Sequence, residues 1–174
     1  AHAGKIEGNP IREDIEEASA LVGVDFIVNV VLNPQKEVIY AAAGDVTKAH
    51  RDACTQLSQY YLSPIHEKAD VVIVSQAGAP KDLNLYQTQK ALDNAKHAVK
   101  DGGIVILIGS CKEGFGNPVF AEWMCKYKNP QDMIDALYSG FVLGGHKAAA
   151  IAMVQKKAEI YLVSDMPDEM VQRT

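Results

Sequence analysis

Three side chains with complementary chemistry fall within five residues of one another. Tyr86 brings a phenol, Gln87 an amide and Lys90 an ammonium. Tyr86 and Lys90 are spaced i,i+4, and Gln87 and Lys90 i,i+3, so on a helix they meet near one face. That set suits a small carboxylate with a neighbouring hydroxyl or carbonyl. Lys90 would supply charge, and Tyr86 and Gln87 directional hydrogen bonds. The preceding residues prepare a ligand loop. Gly78 permits a sharp turn and close backbone approach, Pro80 stiffens the exit, and Asp82 or Asn84 can cap the helix. The first free N–H groups of that helix, at its positive dipole end, would make an anion site. The same residues also suit a solvated helix face, because Lys and Gln are common exposed helix formers.

A second loop, Ser110 to Gly116, sets two glycines around Phe115, with Lys112 and Glu113 beside them. Gly114 and Gly116 can turn backbone N–H groups toward an anion. Neither phosphate-loop fingerprint, GxxxxGK[ST] or GxGxxG, is present, and a structural turn explains the glycines equally well. Gly144-Gly145-His146-Lys147 opens a later helix. His146 titrates near neutrality and suits a proton shuttle, or it serves as a capping surface residue. His50 and Arg51 lie inside a helix and read as structural; His66 and His97 read as surface residues. No His/Glu spacing makes a metal site by itself. Cys54, Cys111 and Cys125 are far apart with no CxxC, which fits buried or partly buried free thiols in a reducing cytoplasm.

These loops need strands before them and helices after them. Ala69–Ser75 (ADVVIVS), Ile104–Gly109 (IVILIG) and Ala158–Ser164 (AEIYLVS) are continuous apolar runs, the mark of fully buried strands. Between them, helices are expected at 83–99, around Trp123, at 130–137 and at 146–157. On the 83–99 helix, Leu85, Thr88, Ala91, Leu92, Ala95 and Val99 share one sector, the expected buried face. Upstream, residues 1–12 read as a loop or arm, and 13–21 as a short helix ending near Gly23. A hairpin runs through Val24–Leu32, the Asn33-Pro34-Gln35-Lys36 turn and Glu37–Ala43. A helix over 46–61 follows, capped by Asp45 or Thr47. The expected fold is α/β, a mostly parallel sheet with helices on both faces plus a β-hairpin near the N-terminal end. Ligands in such sheets sit beyond the carboxyl ends of the strands, which is where both loops fall.

Bulk properties narrow the class. The 174 residues suggest a single domain spanning 1–174. A net charge of −5 argues against nucleic acid as partner, which calls for a basic footprint. No apolar run approaches the roughly 18 residues of a membrane helix, so no membrane partner is expected. The chain begins with Ala1 inside a Gly-rich polar stretch, which reads as part of something longer.

The run Gly78-Ala79-Pro80-Lys81-Asp82-Leu83-Asn84-Leu85-Tyr86-Gln87-Thr88-Gln89-Lys90 has the pattern Gly-x-Pro-x-Asp-x-Asn-x-Tyr-Gln leading to Lys. It resembles the nickel-pincer lactate racemases and related 2-hydroxy-acid racemases, a group of isomerases. Supporting stretches are Gly4-Lys5-Ile6-Glu7-Gly8-Asn9-Pro10, Ala43-Gly44-Asp45 with Ala49-His50-Arg51, and Glu113-Gly114-Phe115-Gly116. The resemblance covers nearly the whole chain. It implies the C-terminal domain of a two-domain enzyme whose halves face each other across a cleft. The implied cofactor is a nickel pincer nucleotide tethered to a lysine of the N-terminal half, which also supplies the metal-binding histidine. The implied reaction removes hydride from the substrate's chiral carbon, passes through a 2-keto acid, and returns hydride to either face. On this resemblance Tyr86, Gln87 and Lys90 are the catalytic residues lining the cleft, and Gly78, Lys90, Gly114 and Gly116 lie on the cofactor side. The tethering lysine and metal-binding histidines have no counterpart here; the surroundings of His2 match the start of the C-terminal segment instead. Lactate racemases carry a tryptophan-containing motif where this chain has Gly144-Gly145-His146-Lys147. His146 and Lys147 therefore bear on substrate specificity, and the substrate is lactate or a bulkier 2-hydroxy acid. The expected partners are the chain's own N-terminal domain and that small substrate, and the chain alone is expected to be inactive. Two other readings stand beside this one: a stand-alone small-anion or nucleotide-binding module without catalysis, and a purely structural domain.

Overall fold

The computed structural model describes residues 4–172; His2 lies outside them. The chain divides into two compact units, Ala1–Pro64 and Ile65–Thr174.

The first unit opens on helix α1 (Pro10–Val22), followed by strands β1 (Ile27–Leu32) and β2 (Val38–Gly44) and helix α2 (Val46–Tyr61). Helix α1 begins three residues earlier than the composition suggests. Asn9 accepts from the Ile11 and Arg12 amides with its side chain, and Pro10 follows at the first helical position, where its missing N–H costs nothing. Gly23, at φ +73°, ends the helix. Strands β1 and β2 form the expected antiparallel hairpin, with Val28 opposite Ala43 and Val30 opposite Ala41. Asn33 fixes the turn: its side-chain oxygen accepts from the Glu37 amide at 2.9 Å, and its backbone N–H donates to the Glu37 carbonyl at 2.9 Å. Asp45 caps α2 through the Thr47 and Lys48 amides. Ala42, Ala49 and Ala53 are buried where α2 meets the hairpin, with Ile27 and Tyr40 packed around them. Arg51 of α2 pairs with Glu16 of α1, which also binds Arg12 at 2.8 Å. These two guanidiniums, Arg51 foremost, hold the Glu16 carboxyl down to about 2.

The second unit carries a parallel sheet in the order β3 (Ala69–Ser75), β4 (Val99–Ile108), β5 (Ala158–Val163). Between β3 and β4 run α3 (Leu85–Thr88), a 3-10 turn (Gln89–Ala91) and α4 (Leu92–Ala98). Between β4 and β5 run α5 (Pro118–Lys126), α6 (Pro130–Ser139) and α7 (Gly145–Gln155), and a short α8 (Asp168–Val171) follows β5. The α/β class, the parallel sheet and the hairpin are as the sequence predicts. Two details differ. The expected 83–99 helix is broken by the 3-10 turn. In addition, β4 starts at Val99, where the backbone becomes extended (φ −85°, ψ 142°). Gly102 and Gly103 then lie within the strand, and Gly102 N–H donates to the Lys157 carbonyl at 2.7 Å.

The core lies between the sheet and one layer of helices. Val72 and Val74, Val105 and Leu107, and Ile160 and Leu162 point to that layer and pack in one cluster with Leu92, Phe120, Met133 and Ala152. Right-handed crossovers between strands in consecutive order place both sets of helices on the same face. The continuous apolar strands predict cover on both faces, but the opposite residues Ile73, Tyr161 and Val163 stay exposed. All six residues assigned to the buried sector of 83–99 are buried, between 0% and 5% exposed. Fully burying a side chain such as Leu92 stabilises by about 2 kcal/mol.

Candidate functional site

The two loops singled out in the sequence are one structure. Cys111 N–H donates to the Asp82 carbonyl and Glu113 N–H to the Leu83 carbonyl, both at 2.8 Å. In return Leu85 N–H donates to the Gly114 carbonyl at 2.9 Å and Tyr86 N–H to the Phe115 carbonyl at 3.1 Å. Side chains reinforce the zipper. Asp82 Oδ2 accepts from Ser110 N–H at 3.0 Å, and Asn84 Nδ2 donates to Glu113 Oε2 at 3.1 Å. Cys111 Sγ reaches Thr88 Oγ1 at 3.4 Å. The loop following β3 and the loop following β4 therefore hold the start of α3 between them.

This pairing overturns the expected anion site at the helix start. Leu85 and Tyr86 N–H are taken by the second loop. Gln87 N–H donates to Asn84 Oδ1 at 3.1 Å, and Thr88 N–H to the Asn84 carbonyl at 3.0 Å. With its first four amides satisfied, α3 offers none to an anion. The loop glycines are likewise occupied in building the site. Gly114 N–H donates to the Cys111 carbonyl. Gly116, at φ +75°, lies so close to Asn84 that a Cβ there would sit 2.2 Å from Asn84 Cγ. The cap on α3 exists because residue 116 has no side chain.

Tyr86, Gln87 and Lys90 emerge from this frame. The Tyr86 ring is half-buried, edge-on to Phe120 of α5 with centroids 5.6 Å apart. Gln87 is half-buried and Lys90 exposed. Lys90 Nζ donates to Gln87 Oε1 at 2.5 Å, so the predicted i,i+3 pair is formed. Gln89, 1% exposed, donates through Nε2 to the Tyr86 carbonyl at 3.3 Å. It braces the backbone beneath all three, and the sequence reading passed over it. The signal was present: about 40° from Leu85 on a helical wheel, Gln89 is the amide adjoining an otherwise apolar sector.

Gly78 sits elsewhere, on the rim of a crevice of about 430 Å³ at the carboxyl ends of β3, β4 and β5. Asp82, Ser110 and Asp165 line it, and Ser110 Oγ donates to Asp165 Oδ2 at 3.0 Å. Asp82 is 7% exposed, and its Oδ1 has no hydrogen-bond partner among the described residues.

His146 and Lys147 open α7. His146 Nδ1 accepts from Gly144 N–H at 3.1 Å, and the ring stands 5.5 Å from that of Phe141. Partial burial, with the adjacent Lys147 charge, pushes the His146 pKa down. Among the described residues no hydrogen bond or ring contact joins His146 or Lys147 to Tyr86, Gln87 or Lys90. Helix α5 connects the two groups. Its Phe120 receives the Tyr86 ring, and its Trp123 lies against Gly145, where a Cβ would stand 2.5 Å from the indole.

The geometry does one thing plainly: it presents a cation paired with an amide from a braced turn that also carries a phenol. No group of three or more His, Cys, Asp or Glu side chains that could hold a metal lies among the described residues. No helix among them is long and apolar enough to cross a membrane.

Comparison with known proteins gives the family. Residues 65–174 match the family model of the lactate racemase C-terminal domain. A lactate racemase of Thermoanaerobacterium thermosaccharolyticum is 36% identical over 140 residues, covering 80% of this chain and 32% of the relative. A lactate racemase of Lactiplantibacillus plantarum is 30% identical over 135 residues, covering 78% and 32%. This chain thus spans about a third of the length of the curated relatives it matches. Among solved structures, the lactate racemase apoprotein of T. thermosaccharolyticum superposes with a TM-score of 0.88 at 31% identity, over 97% of this chain and 41% of that one. A Thermotoga maritima protein shares the fold at a TM-score of 0.60 and 20% identity, over 95% of this chain and 46% of that one. The match of the family model to residues 65–174, the unit that carries Tyr86, Gln87 and Lys90, shows that the chain belongs to the lactate racemase C-terminal domain family.

Proposed function

We propose that this chain is the C-terminal, cleft-lining domain of a racemase acting on 2-hydroxy acids with a nickel pincer nucleotide held by a preceding N-terminal domain. The observation that carries this reading is the Lys90–Gln87 contact at 2.5 Å on the same short helical segment as Tyr86. A half-buried amide orients an exposed ammonium, and a phenol stands on the same turn. Lys90 binds the substrate carboxylate as a point charge. Gln87 and Tyr86 hydrogen-bond the adjoining oxygen, which is a hydroxyl in the substrate and a carbonyl in the 2-keto acid. Held at both groups, the substrate keeps its chiral carbon in one place while its remaining bonds reorganise. When bound, the cofactor would supply the hydride acceptor. The donor set of this chain fits the substrate side of such a site, where Lys90 would face both substrate and cofactor, whereas Gly78 lines the separate crevice at the strand ends. His146 and Lys147, across α5, tune which 2-hydroxy acid enters. The free cysteines favour a reducing cytoplasm.

The internally satisfied first four amides of α3 count against the helix-start part of the stand-alone anion- or nucleotide-binding reading. Racemisation of D- and L-lactate, and of bulkier 2-hydroxy acids, by the full-length cofactor-loaded protein tests the proposal. Replacing Lys90 by Ala removes a charged hydrogen bond, worth about 1.5–3 kcal/mol, so kcat/KM should fall roughly 10- to 100-fold. Undiminished racemisation by Lys90→Ala would sink the assignment. Calorimetry of this chain alone with 2-hydroxy acids and mononucleotides should show no tight binding.

A further inference from the structure

Asp82 sits in the run from Gly78 to Lys90, yet the cap of α3 comes from Asn84. The Asp82 side chain lines the crevice at the carboxyl ends of β3, β4 and β5 instead. That is where open α/β sheets take their ligands. Only one of its carboxylate oxygens is used. Oδ2 accepts from Ser110 N–H at 3.0 Å, whereas Oδ1 is buried without a partner among the described residues. A buried carboxylate oxygen left unbonded costs free energy that a water or an ion at that point removes. Among the described residues no salt bridge reaches either Asp82 or Asp165.

The crevice offers oxygens rather than donors. Ser110 joins its two carboxylates, with its N–H on Asp82 and its hydroxyl on Asp165 Oδ2 at 3.0 Å. Amides that could have met an anion are spent. Gly109 N–H donates to the Val163 carbonyl at 3.1 Å, and Asp165 N–H to the Ser110 carbonyl at 2.9 Å. The Ser75 and Ser164 hydroxyls also face the crevice. Each accepts from a nearby amide, of Ala77 and of Met166, at 3.3 Å. Two carboxylates and three hydroxyls, with no basic side chain in the lining, repel an anion and attract a cation. The burial of Oδ1 narrows the choice further. A small ion reaches an oxygen that is closed to the head group of an organic ammonium. Carboxylate and hydroxyl oxygens are hard ligands, and one or two carboxylates with retained waters are the usual set for Mg²⁺.

We propose that this crevice is a Mg²⁺-type divalent-cation site, in which Asp82 Oδ1 and the Asp165 carboxylate bind the ion and waters complete its shell. Ser110 orients both carboxylates. The ion joins the loops that follow all three strands of the sheet. One of them, the loop after β3, leads through Asp82 into α3, whose Asp82 carbonyl already accepts from Cys111 N–H. A bound ion therefore steadies the frame that carries Tyr86, Gln87 and Lys90 without touching them. The inference stands on the crevice alone and does not depend on the racemase reading.

The test uses the full-length protein stripped of metal by a chelator, with Mn²⁺ as the probe, its binding followed by electron paramagnetic resonance and competed with Mg²⁺. Wild type should bind one Mn²⁺ that Mg²⁺ displaces, with a Kd below about 1 mM, and Asp82→Asn and Asp165→Asn should each lack it or bind it at least about tenfold more weakly. Asp82→Asn keeps the shape of the side chain and an acceptor for Ser110 N–H. Asp165→Asn changes an exposed residue, so it decides the matter even if Asp82→Asn fails to fold. Saturating Mg²⁺ should raise the thermal midpoint of wild type and leave that of the variants unchanged. Equal Mn²⁺ binding by wild type and Asp165→Asn overturns the proposal, because the ion then sits elsewhere. So does the absence of saturable Mn²⁺ binding below about 1 mM, which leaves a water at Oδ1. A midpoint raised by K⁺ or ammonium but not by Mg²⁺ or Mn²⁺ overturns it as well. None of these readouts needs racemase activity, so failure of that reading leaves them unchanged.

Discussion

Replacing Gly116 by Ala should dismantle the frame behind Tyr86, Gln87 and Lys90 without touching any of them. The new methyl would sit 2.2 Å from Asn84 Cγ and 2.5 Å from Asn84 Cβ. A rotamer change of Asn84 does not clear a contact at its own Cβ, so the backbone of one loop must move. Two costs follow. Holding Ala at φ +75° costs about 1–2 kcal/mol, and losing the Asn84 cap costs about 1 kcal/mol more. The expected destabilisation of about 2–3 kcal/mol should appear as a lower urea midpoint at unchanged m-value. A double-mutant cycle separates the two parts. In an Asn84→Ala background the cap is already absent, so Gly116→Ala should cost only the backbone share, leaving a coupling energy of about 1 kcal/mol. Asn84→Ala itself should cost about 1 kcal/mol, since Gln87 N–H then keeps only the Asn84 carbonyl. Equal costs for Gly116→Ala in both backgrounds would refute the proposed link between residue 116 and the cap.

Three further perturbations reach other parts of the second unit. Gly145→Ala should destabilise by about 1–3 kcal/mol through overpacking against Trp123, and the emission of that single tryptophan should shift in the native state; unchanged stability and emission would refute the contact. Cys111 is fully buried and burial pushes its thiol pKa up, so under native conditions it should react with a thiol reagent far more slowly than Cys54 or Cys125. For His146 the folded pKa lies below the ordinary 6.5, so protonation favours the unfolded chain. Its contribution to stability is full above pH 6.5 and is lost as pH falls through the folded value. An NMR titration should place His146 below 6.5, and His146→Gln should flatten the decline of stability below that pH.

Much of the second unit was legible because its strands are continuous apolar runs and its helix at 85–98 obeys one period. The six residues on one wheel sector all proved buried, since a face that must pack leaves its trace residue by residue. What stayed hidden depends on contacts between distant segments. Nothing near Asn84 announces that Gly116, far along the chain, gives its cap room. The N–H groups of Leu85 and Tyr86 look free until the 110–116 loop folds onto them. The 3-10 turn at Gln89–Ala91 is hidden for the same kind of reason, because its amphipathic pattern is that of an unbroken helix. In the first unit the alternation of β1 was readable, but not that one of its faces would be left open.

The satisfied helix start changes what the proposed site would recognise. A free α3 terminus would have drawn any small anion with its amides, regardless of shape. With those amides spent on the two loops, charge recognition under the proposed function would pass to Lys90, and Lys90 is tied to Gln87. A bare anion such as phosphate would satisfy the ammonium but leave the amide and the phenol unmatched. A 2-hydroxy acid offers a carboxylate to the first and an oxygen to the others. Discrimination then comes from polar groups left unpaired by the wrong ligand, which penalises it more than a missing apolar contact does. The same bracing keeps Tyr86, Gln87 and Lys90 in one geometry on a turn too short to hold itself. Under the proposed function, the two loops would therefore contribute specificity by occupying the amides that would otherwise have made the site indiscriminate.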